Sequence, residues 1–277
     1  MITSLKSLEK FTDSLPNSQK MPAFFIGHGS PMNAIEDNEF VKEMKAQGLQ
    51  LSKPKAIVVI SAHWETKGTF VTAMQNPRTI HDFGGFPKEL YEQQYPAPGH
   101  PILAKEISNL IQPKDTIGLD EKWGLDHGAW TVVKHLFPNA DVPVIQLSID
   151  YTKGASYHYE LAQQLHQLRD KGILIVGSGN IVHNLGEIAW NKMNENYGYD
   201  WAIEMNEKVK KCIFESNHQP IIDFTKQGNS FKLSIPTAEH YLPLLYTLGV
   251  KEDKENVSLF NDQYVGGSLS MTSVKIG

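Results

Sequence analysis

Histidine is the residue type whose placement in this sequence most directly suggests chemistry. The 277 residues include 11 histidines, and three of them follow short apolar runs that end in glycine or serine turns. His28 stands in GHGSP, His63 in SAHW and His183 in GSGNIVHN. Because ligands of α/β sheets bind at the carboxyl ends of the strands, this spacing is compatible with three imidazoles that converge on one crevice.

Two further histidines stand in segments that could reach the same crevice. His240 lies beside Glu239 in PTAEHYLPLL, at the predicted start of a helix, and His127 lies in the glycine- and aromatic-rich segment WGLDHGAW. Clustered neutral imidazoles bind zinc, iron, nickel or copper. The only cysteine is Cys212, which excludes a cysteine-rich zinc site. With Glu239 nearby, these residues favour one divalent metal ion, Zn²⁺ or Fe²⁺.

The other histidines are expected to have structural or surface roles. His81, in TIHDFGGFP, is an intermediate case, and His158 and His166 are expected to be solvated on a predicted helix. The remaining members of this group are His100, His135 and His218. The motifs of a phosphate-binding loop, a dinucleotide-binding loop and a serine hydrolase are absent.

The elements that must position these histidines alternate between strands and helices. Apolar, β-branched runs predict buried strands over residues 23–28, 56–64, 142–150 and 172–180, and an antiparallel or edge strand over 68–74. Helical periodicity predicts helices over residues 100–112, 156–172, 200–216 and 239–249. Residues 190–200 are expected to form a surface loop, and the C-terminal GSLSMTSVKIG a last strand. The pattern predicts a single α/β domain over residues 1–277, with a central, mostly parallel or mixed sheet flanked by helices on both faces.

Composition narrows the functional classes. The formal net charge of −5 provides no basic face for nucleic acid or an anionic membrane. No apolar run has the length of a membrane span, and residues 1–20 are expected to be a polar N-terminal extension without the apolar core of a signal peptide. A cytoplasmic protein is therefore expected.

Eight motifs, in order, resemble those of the 4,5-DOPA extradiol dioxygenase family, which belongs to the class III extradiol ring-opening dioxygenases. The motifs begin near residue 21, and they are HGSPMNA, VVISAHWET, IHDFGGFP, YPAPG, GLDHGAW, QLSID, GSGNIVHNL and PTAEHYLPLLY. Together they make the resemblance specific, although no one of them would do so alone.

This resemblance implies a metal site built from His28, His63 and His240, with Glu239 as the alternative to His240. His183 would be a fourth ligand or the acid/base residue, and His127 would help to bind the substrate or dioxygen. The implied partners are a small catechol, such as DOPA, and O₂. The implied product is a seco-DOPA-type semialdehyde, formed when the ring opens beside the two hydroxyls.

Two other functions are alternatives to a dioxygenase. A non-enzymatic interaction module of the same superfamily would keep the pocket but lose the acid/base residue. A zinc-dependent hydrolase would need a carboxylate base near the metal, for which Glu239 or Asp126 could serve. The motif aromatics are further expected to line one apolar pocket beside the metal; they are Trp64, Phe83, Phe86, Trp130 and Tyr241.

Overall fold

A mixed eight-stranded sheet forms the centre of the computed structural model, which describes residues 19–110 and 117–277. The strands are β1 (Ala23–Gly27), β2 (Ala56–Thr66), β3 (Phe70–Thr72), β4 (Gly118–Asp120), β5 (Val144–Asp150), β6 (Ile173–Gly179), β7 (Val257–Phe260), β8 (Tyr264–Val265), β9 (Leu269–Ser270) and β10 (Ser273–Ile276). Their order in the sheet is β4-β3-β5-β2-β6-β1-β10-β7, while β8 and β9 form a separate two-stranded ribbon.

The four central strands of the sheet, β5, β2, β6 and β1, run parallel to one another. On one side β3 pairs antiparallel with β5 and parallel with β4. On the other side β10 pairs antiparallel with β1, and β7 with β10. The prediction of a mostly parallel, mixed sheet is therefore confirmed. The four parallel strands end at one edge, where an α/β sheet binds its ligands.

Helices cover both faces of this sheet. They are α1 (Glu39–Leu49), α2 (Lys88–Tyr91), α3 (Pro101–Leu110), α4 (His127–Leu136), α5 (Ala155–Gln163), α6 (Gln167–Asp170), α7 (Asp200–Phe214), α8 (Gln219–Ile222), α9 (Asn229–Ser234) and α10 (Leu242–Gly249). Successive residues of β1 enter different cores: Phe25 packs with residues of α5, α7 and α10, and Phe24 packs with residues of α1 and α4. Because both faces of the sheet are buried, the central strands are continuous apolar runs in the sequence.

Most predicted elements are present, and the differences have local causes. The strand predicted over residues 68–74 shortens to β3, which is antiparallel to β5 as expected but lies inside the sheet, next to β4. The helix predicted over 156–172 divides into α5 and α6. At the break, the Nδ1 of His166 lies 2.6 Å from the carbonyl oxygen of Gln163, a local side-chain bond that competes with continued helix. The helix predicted over 239–249 begins only at Leu242.

His158 was predicted to be solvated, and this prediction is wrong. The residue is fully buried where α5 packs on α10, and its Nδ1 lies 3.0 Å from the hydroxyl oxygen of Tyr246. Burial lowers the pKa of His158 to about 4, so the ring is a neutral part of the core.

The ends of two predicted segments lie outside the described residues. These are residues 1–18 of the N-terminal extension and residues 111–112 of the helix predicted over 100–112. The last strand is confirmed as β10. Within residues 19–110 and 117–277, no helix is long and apolar enough to cross a membrane.

Candidate metal centre

Five histidine rings predicted to be functional meet above the carboxyl ends of β1, β2 and β6. The ring centroids of His28 and His63 are 5.0 Å apart, and that of His240 lies 5.3 Å from His28 and 5.0 Å from His63. The ring of His127 lies 3.8 Å from His63, and that of His183 stacks on His240 at 3.5 Å. The structure therefore brings together every histidine that the sequence placed at this site.

The turn after β1 holds His28 with its Nε2 atom directed into the cluster. Its Nδ1 lies 2.9 Å from the Oγ of Ser178, and this hydroxyl donates its own hydrogen to the carbonyl oxygen of Gly128 at 2.6 Å. Ser178 must therefore accept from Nδ1–H, which leaves a lone pair on Nε2. Gly29 follows at φ +61°, and a Cβ there would lie 2.6 Å from the Sδ of Met271, so this position requires glycine.

His63 lies in an irregular stretch of β2 that turns its side chain toward His28. The register of β2 against β5 shifts between Ile60 and Glu65, as in the bulges that redirect side chains near active sites. The Nε2 atoms of His28 and His63 are 3.2 Å apart. Glycine at position 128 allows this close packing, because a Cβ there would lie 2.8 Å from the Cδ2 of His63.

His240 and Glu239 form a hydrogen-bonded pair beside these two rings. The Nδ1 of His240 lies 3.0 Å from the Oε1 of Glu239, which also accepts from the hydroxyl of Thr237 at 2.8 Å. Burial alone would raise the pKa of Glu239, but these hydrogen bonds lower it to about 2, so the group is a carboxylate. A carboxylate on Nδ1 fixes the tautomer that leaves the Nε2 of His240 free for a metal.

The ring of His183 is placed differently. Its backbone N–H donates to the carbonyl oxygen of Ser234 at 2.9 Å, but none of the described residues forms a hydrogen bond with its ring. Burial, followed by the neighbouring imidazole of His240, lowers the pKa of His183 to about 3. His183 is therefore a neutral imidazole, and no protein acceptor fixes its tautomer.

Asp82 is a residue of the site that the sequence analysis missed. Its Oδ1 accepts from the backbone N–H of His127 at 2.8 Å, and its Oδ2 lies 2.9 Å from the Nδ1 of the same residue. Burial would raise the pKa of Asp82, but the bonds to His127 lower it, so the group is a carboxylate. Asp82 directly follows His81 in TIHDFGGFP, so the motif contained a signal, but a single loop carboxylate does not reveal its partner in the sequence.

The donor chemistry of this cluster fits a metal ion. Burial and the neighbouring imidazoles lower the pKa of His28 and of His63, which keeps both rings neutral, as metal ligands must be. Two imidazole nitrogens at about 2.0 Å from one tetrahedral ion would be about 3.3 Å apart, close to the observed 3.2 Å. Among the described residues, two groups of side chains have ligand atoms close enough to hold an ion: His28, His63 and His127, and His183, Glu239 and His240. The expected ligands His28 and His63 thus fall in the first group, and His240 and His183 fall in the second.

The motif aromatics do not line one common pocket, so that prediction is wrong. Phe83 stands edge-on to His127 at 5.6 Å, but Trp64 stacks on Trp123 and Tyr241 belongs to the core on the other face of the sheet. These residues were grouped by motif, and the sheet separates them. A cavity of about 470 Å³ instead borders the turn after His28; its lining includes Gly29, Ser30, Leu269 and Met271. None of the five clustered histidines lines this cavity, so it is not the pocket expected beside the metal.

Comparisons with known proteins identify the family of the chain. Residues 22–269 match the family described as the catalytic LigB subunit of aromatic ring-opening dioxygenase. An Escherichia coli (strain K12) protein named 4,5-DOPA dioxygenase extradiol is 46% identical over 268 residues, which cover 96% of this chain and 98% of that protein. A Beta vulgaris protein of the same name is 35% identical over 257 residues, covering 91% and 95%.

A solved structure extends the comparison to the fold. The crystal structure of an uncharacterized protein from Escherichia coli K12 matches with a TM-score of 0.80 at 43% identity, covering 93% of this chain and all of that one. This chain therefore belongs to the LigB family of aromatic ring-opening dioxygenases. It is an extradiol ring-opening dioxygenase, as the resemblance of its motifs implied.

Proposed function

We propose that this enzyme opens the ring of catechols such as DOPA with O₂, and that one divalent ion, Zn²⁺ or Fe²⁺, is held by His28, His63 and His240. The observation that carries this proposal is that the Nε2 atoms of His28 and His63 lie 3.2 Å apart at the ends of the parallel strands, with the ring centroid of His240 within 5.3 Å of both rings. The relatives named 4,5-DOPA dioxygenase extradiol support the substrate class.

The protein's own groups have separable roles in this proposal. The ion, when bound, would supply a Lewis acid that lowers the pKa of the catechol hydroxyls and a centre at which catechol and dioxygen meet. His183, neutral and without a hydrogen-bond partner on its ring among the described residues, accepts a hydroxyl proton and later returns it. His127, held by Asp82, helps to bind the substrate or dioxygen.

The products follow from the bond that breaks. The carbon–carbon bond beside the two hydroxyls is cleaved, and both atoms of dioxygen enter the product. With DOPA the result is a seco-DOPA-type semialdehyde.

The hydrolase alternative lacks a carboxylate in a suitable state. Glu239 accepts hydrogen bonds from His240 and Thr237. Asp126 is fully buried and accepts from the hydroxyl of Ser61 at 2.6 Å and from the side-chain amide of Gln146 at 2.7 Å. Both candidate bases are thus engaged in holding other residues, which favours the dioxygenase. The presence of His183 at the site also argues against a non-enzymatic interaction module, which would lose the acid/base residue.

The test combines metal analysis with an oxygen electrode. Purified protein is stripped, reloaded with Fe²⁺ or Zn²⁺, and supplied with catechol, DOPA, dopamine and protocatechuate. We expect stoichiometric metal and oxygen uptake with at least one catechol, together with the absorbance of a ring-opened semialdehyde. His28→Ala is the negative control. Stoichiometric metal without oxygen uptake in either form would overturn the proposal.

A further inference from the structure

Asp82 contacts both the backbone and the ring of a single histidine. It accepts the backbone N–H of His127 at 2.8 Å through Oδ1, and its Oδ2 lies 2.9 Å from the Nδ1 of that residue. His127 is the first residue of α4, where backbone N–H groups lack partners within the helix. Asp126 caps this helix by accepting from the N–H of Ala129, whereas Asp82 binds the first N–H of the helix and orients the ring at its start.

We propose that Asp82 is a positioning residue that sets the tautomer of His127 for the ring-opening reaction. A carboxylate has no hydrogen to donate, so the proton of the neutral ring must lie on Nδ1. The lone pair of His127 then lies on Nε2, the nitrogen that Asp82 leaves free. The proposal rests on the proposed function, because it assumes that His127 meets the substrate or dioxygen.

The distances separate this role from support of the metal ligands. The Oδ2 of Asp82 is 3.8 Å from the Nδ1 of His63, which is too long for a hydrogen bond. The Nδ1 of His28 is bound by Ser178 and that of His240 by Glu239. Asp82 therefore acts through His127, and its loss should leave metal binding intact.

The side chain of Asp82 is 19% exposed, so substitution there does not create a deeply buried charge or cavity. In Asp82→Asn, the single oxygen can still accept the backbone N–H of His127. The NH₂ group then faces Nδ1 and can bond only to a lone pair, which moves the ring proton to Nε2. The substitution preserves the shape of the side chain, but the ring proton of His127 then points into the site. The same wrong tautomer impairs a serine protease in which the triad aspartate is replaced by asparagine.

The first measurement does not depend on activity. The metal-free protein, labelled with ¹⁵N-histidine, is compared as wild type, Asp82→Asn and Asp82→Glu, and His127→Ala identifies the His127 signals. We expect Nδ1–H for wild type and Asp82→Glu, and Nε2–H for Asp82→Asn. The same tautomer in wild type and Asp82→Asn would overturn the proposal, and Asp82→Glu keeps the comparison decisive if the asparagine variant fails to fold.

The second measurement asks whether Asp82 and His127 act as a unit. We expect Asp82→Asn to keep its metal affinity within twofold and to lose roughly 10²–10⁴-fold in kcat. The effects of Asp82→Asn and His127→Ala should not add, so the double variant should be no slower than His127→Ala alone. Asp120→Asn is the matched control, because Asp120 also accepts backbone N–H groups in a loop but contacts no imidazole, and it should keep full activity.

Two results would overturn the proposal: loss of metal in Asp82→Asn, or multiplied rate losses in the double variant. If wild-type protein opens no catechol, the proposed function fails, but the tautomer experiment still decides what Asp82 does to His127.

Discussion

Ser178 should contribute to metal affinity although it cannot itself be a ligand. Its hydroxyl accepts from the Nδ1 of His28 and donates to the carbonyl oxygen of Gly128. Ser178→Ala leaves a buried imidazole N–H without a partner, which costs about 1–3 kcal/mol of stability. It also frees the ring to rotate and to change tautomer, and loss of such an orienting partner typically weakens metal binding 10–100-fold, or about 1.4–2.7 kcal/mol.

Ser273 provides a matched control for this experiment. It is also fully buried, and its hydroxyl binds the end of β1 next to His28. The hydroxyl accepts from the N–H of Gly27 at 3.0 Å and donates to the carbonyl oxygen of Met271. Ser273→Ala should lower the unfolding free energy by a similar amount without changing metal affinity, because it contacts no imidazole. The assay is chelator competition at fixed pH, paired with denaturant unfolding of the metal-free proteins. Equal metal affinity in Ser178→Ala and wild type, or equal losses in both variants, would refute the reasoning.

Three further predictions concern the proposed ligands, the role of His183, and the ion pair of Glu255 with Arg169. His28→Ala and His63→Ala should each lose the metal and the activity together, as measured by elemental analysis and oxygen uptake. His183→Ala should keep iron but lose roughly 10²–10⁴-fold in turnover; unchanged turnover with iron would exclude the base role, and lost zinc affinity would instead identify a closing ligand. Glu255 should stabilise the fold above pH 4.5: burial would raise its pKa, but bonds to the fully buried Arg169 lower it from 4.5 to about 2. That stability should be lost as the pH falls from 4.5 toward 2, and Glu255→Gln should flatten acid unfolding curves across this interval.

The sequence predicted the sheet and the clustered histidines because both depend on local patterns. Continuous apolar runs identified β1, β2, β5 and β6, and the strand-end rule then placed His28, His63 and His183 together. His158 shows where such patterns fail. The sequence of its own helix does not show which face is buried and which is exposed to solvent. His158 is buried because α10, more than 80 residues later, packs on it and places the hydroxyl of Tyr246 beside its ring.

Asp82 and Ser178 escaped prediction for a related reason. Each matters because of one hydrogen bond to a ring that lies 45 or 150 positions away in the chain. A single carboxylate or hydroxyl in a loop has many structural uses, and only the folded geometry shows which imidazole it holds. The clustered histidines can be predicted from their type and spacing, whereas the groups that orient their rings depend on tertiary contacts.

The pairing of β10 with β1 ties metal binding to completion of the polypeptide. The strand that presents His28 is bonded at its end to Ser273, 246 positions later, and His240 also belongs to the second half of the chain. An N-terminal fragment that stops before residue 240 holds at most part of the ligand set, and one that stops before 273 leaves an edge of β1 unpaired. If the ion is held as proposed, its uptake would mark a finished molecule, because these contacts close late and over long distances.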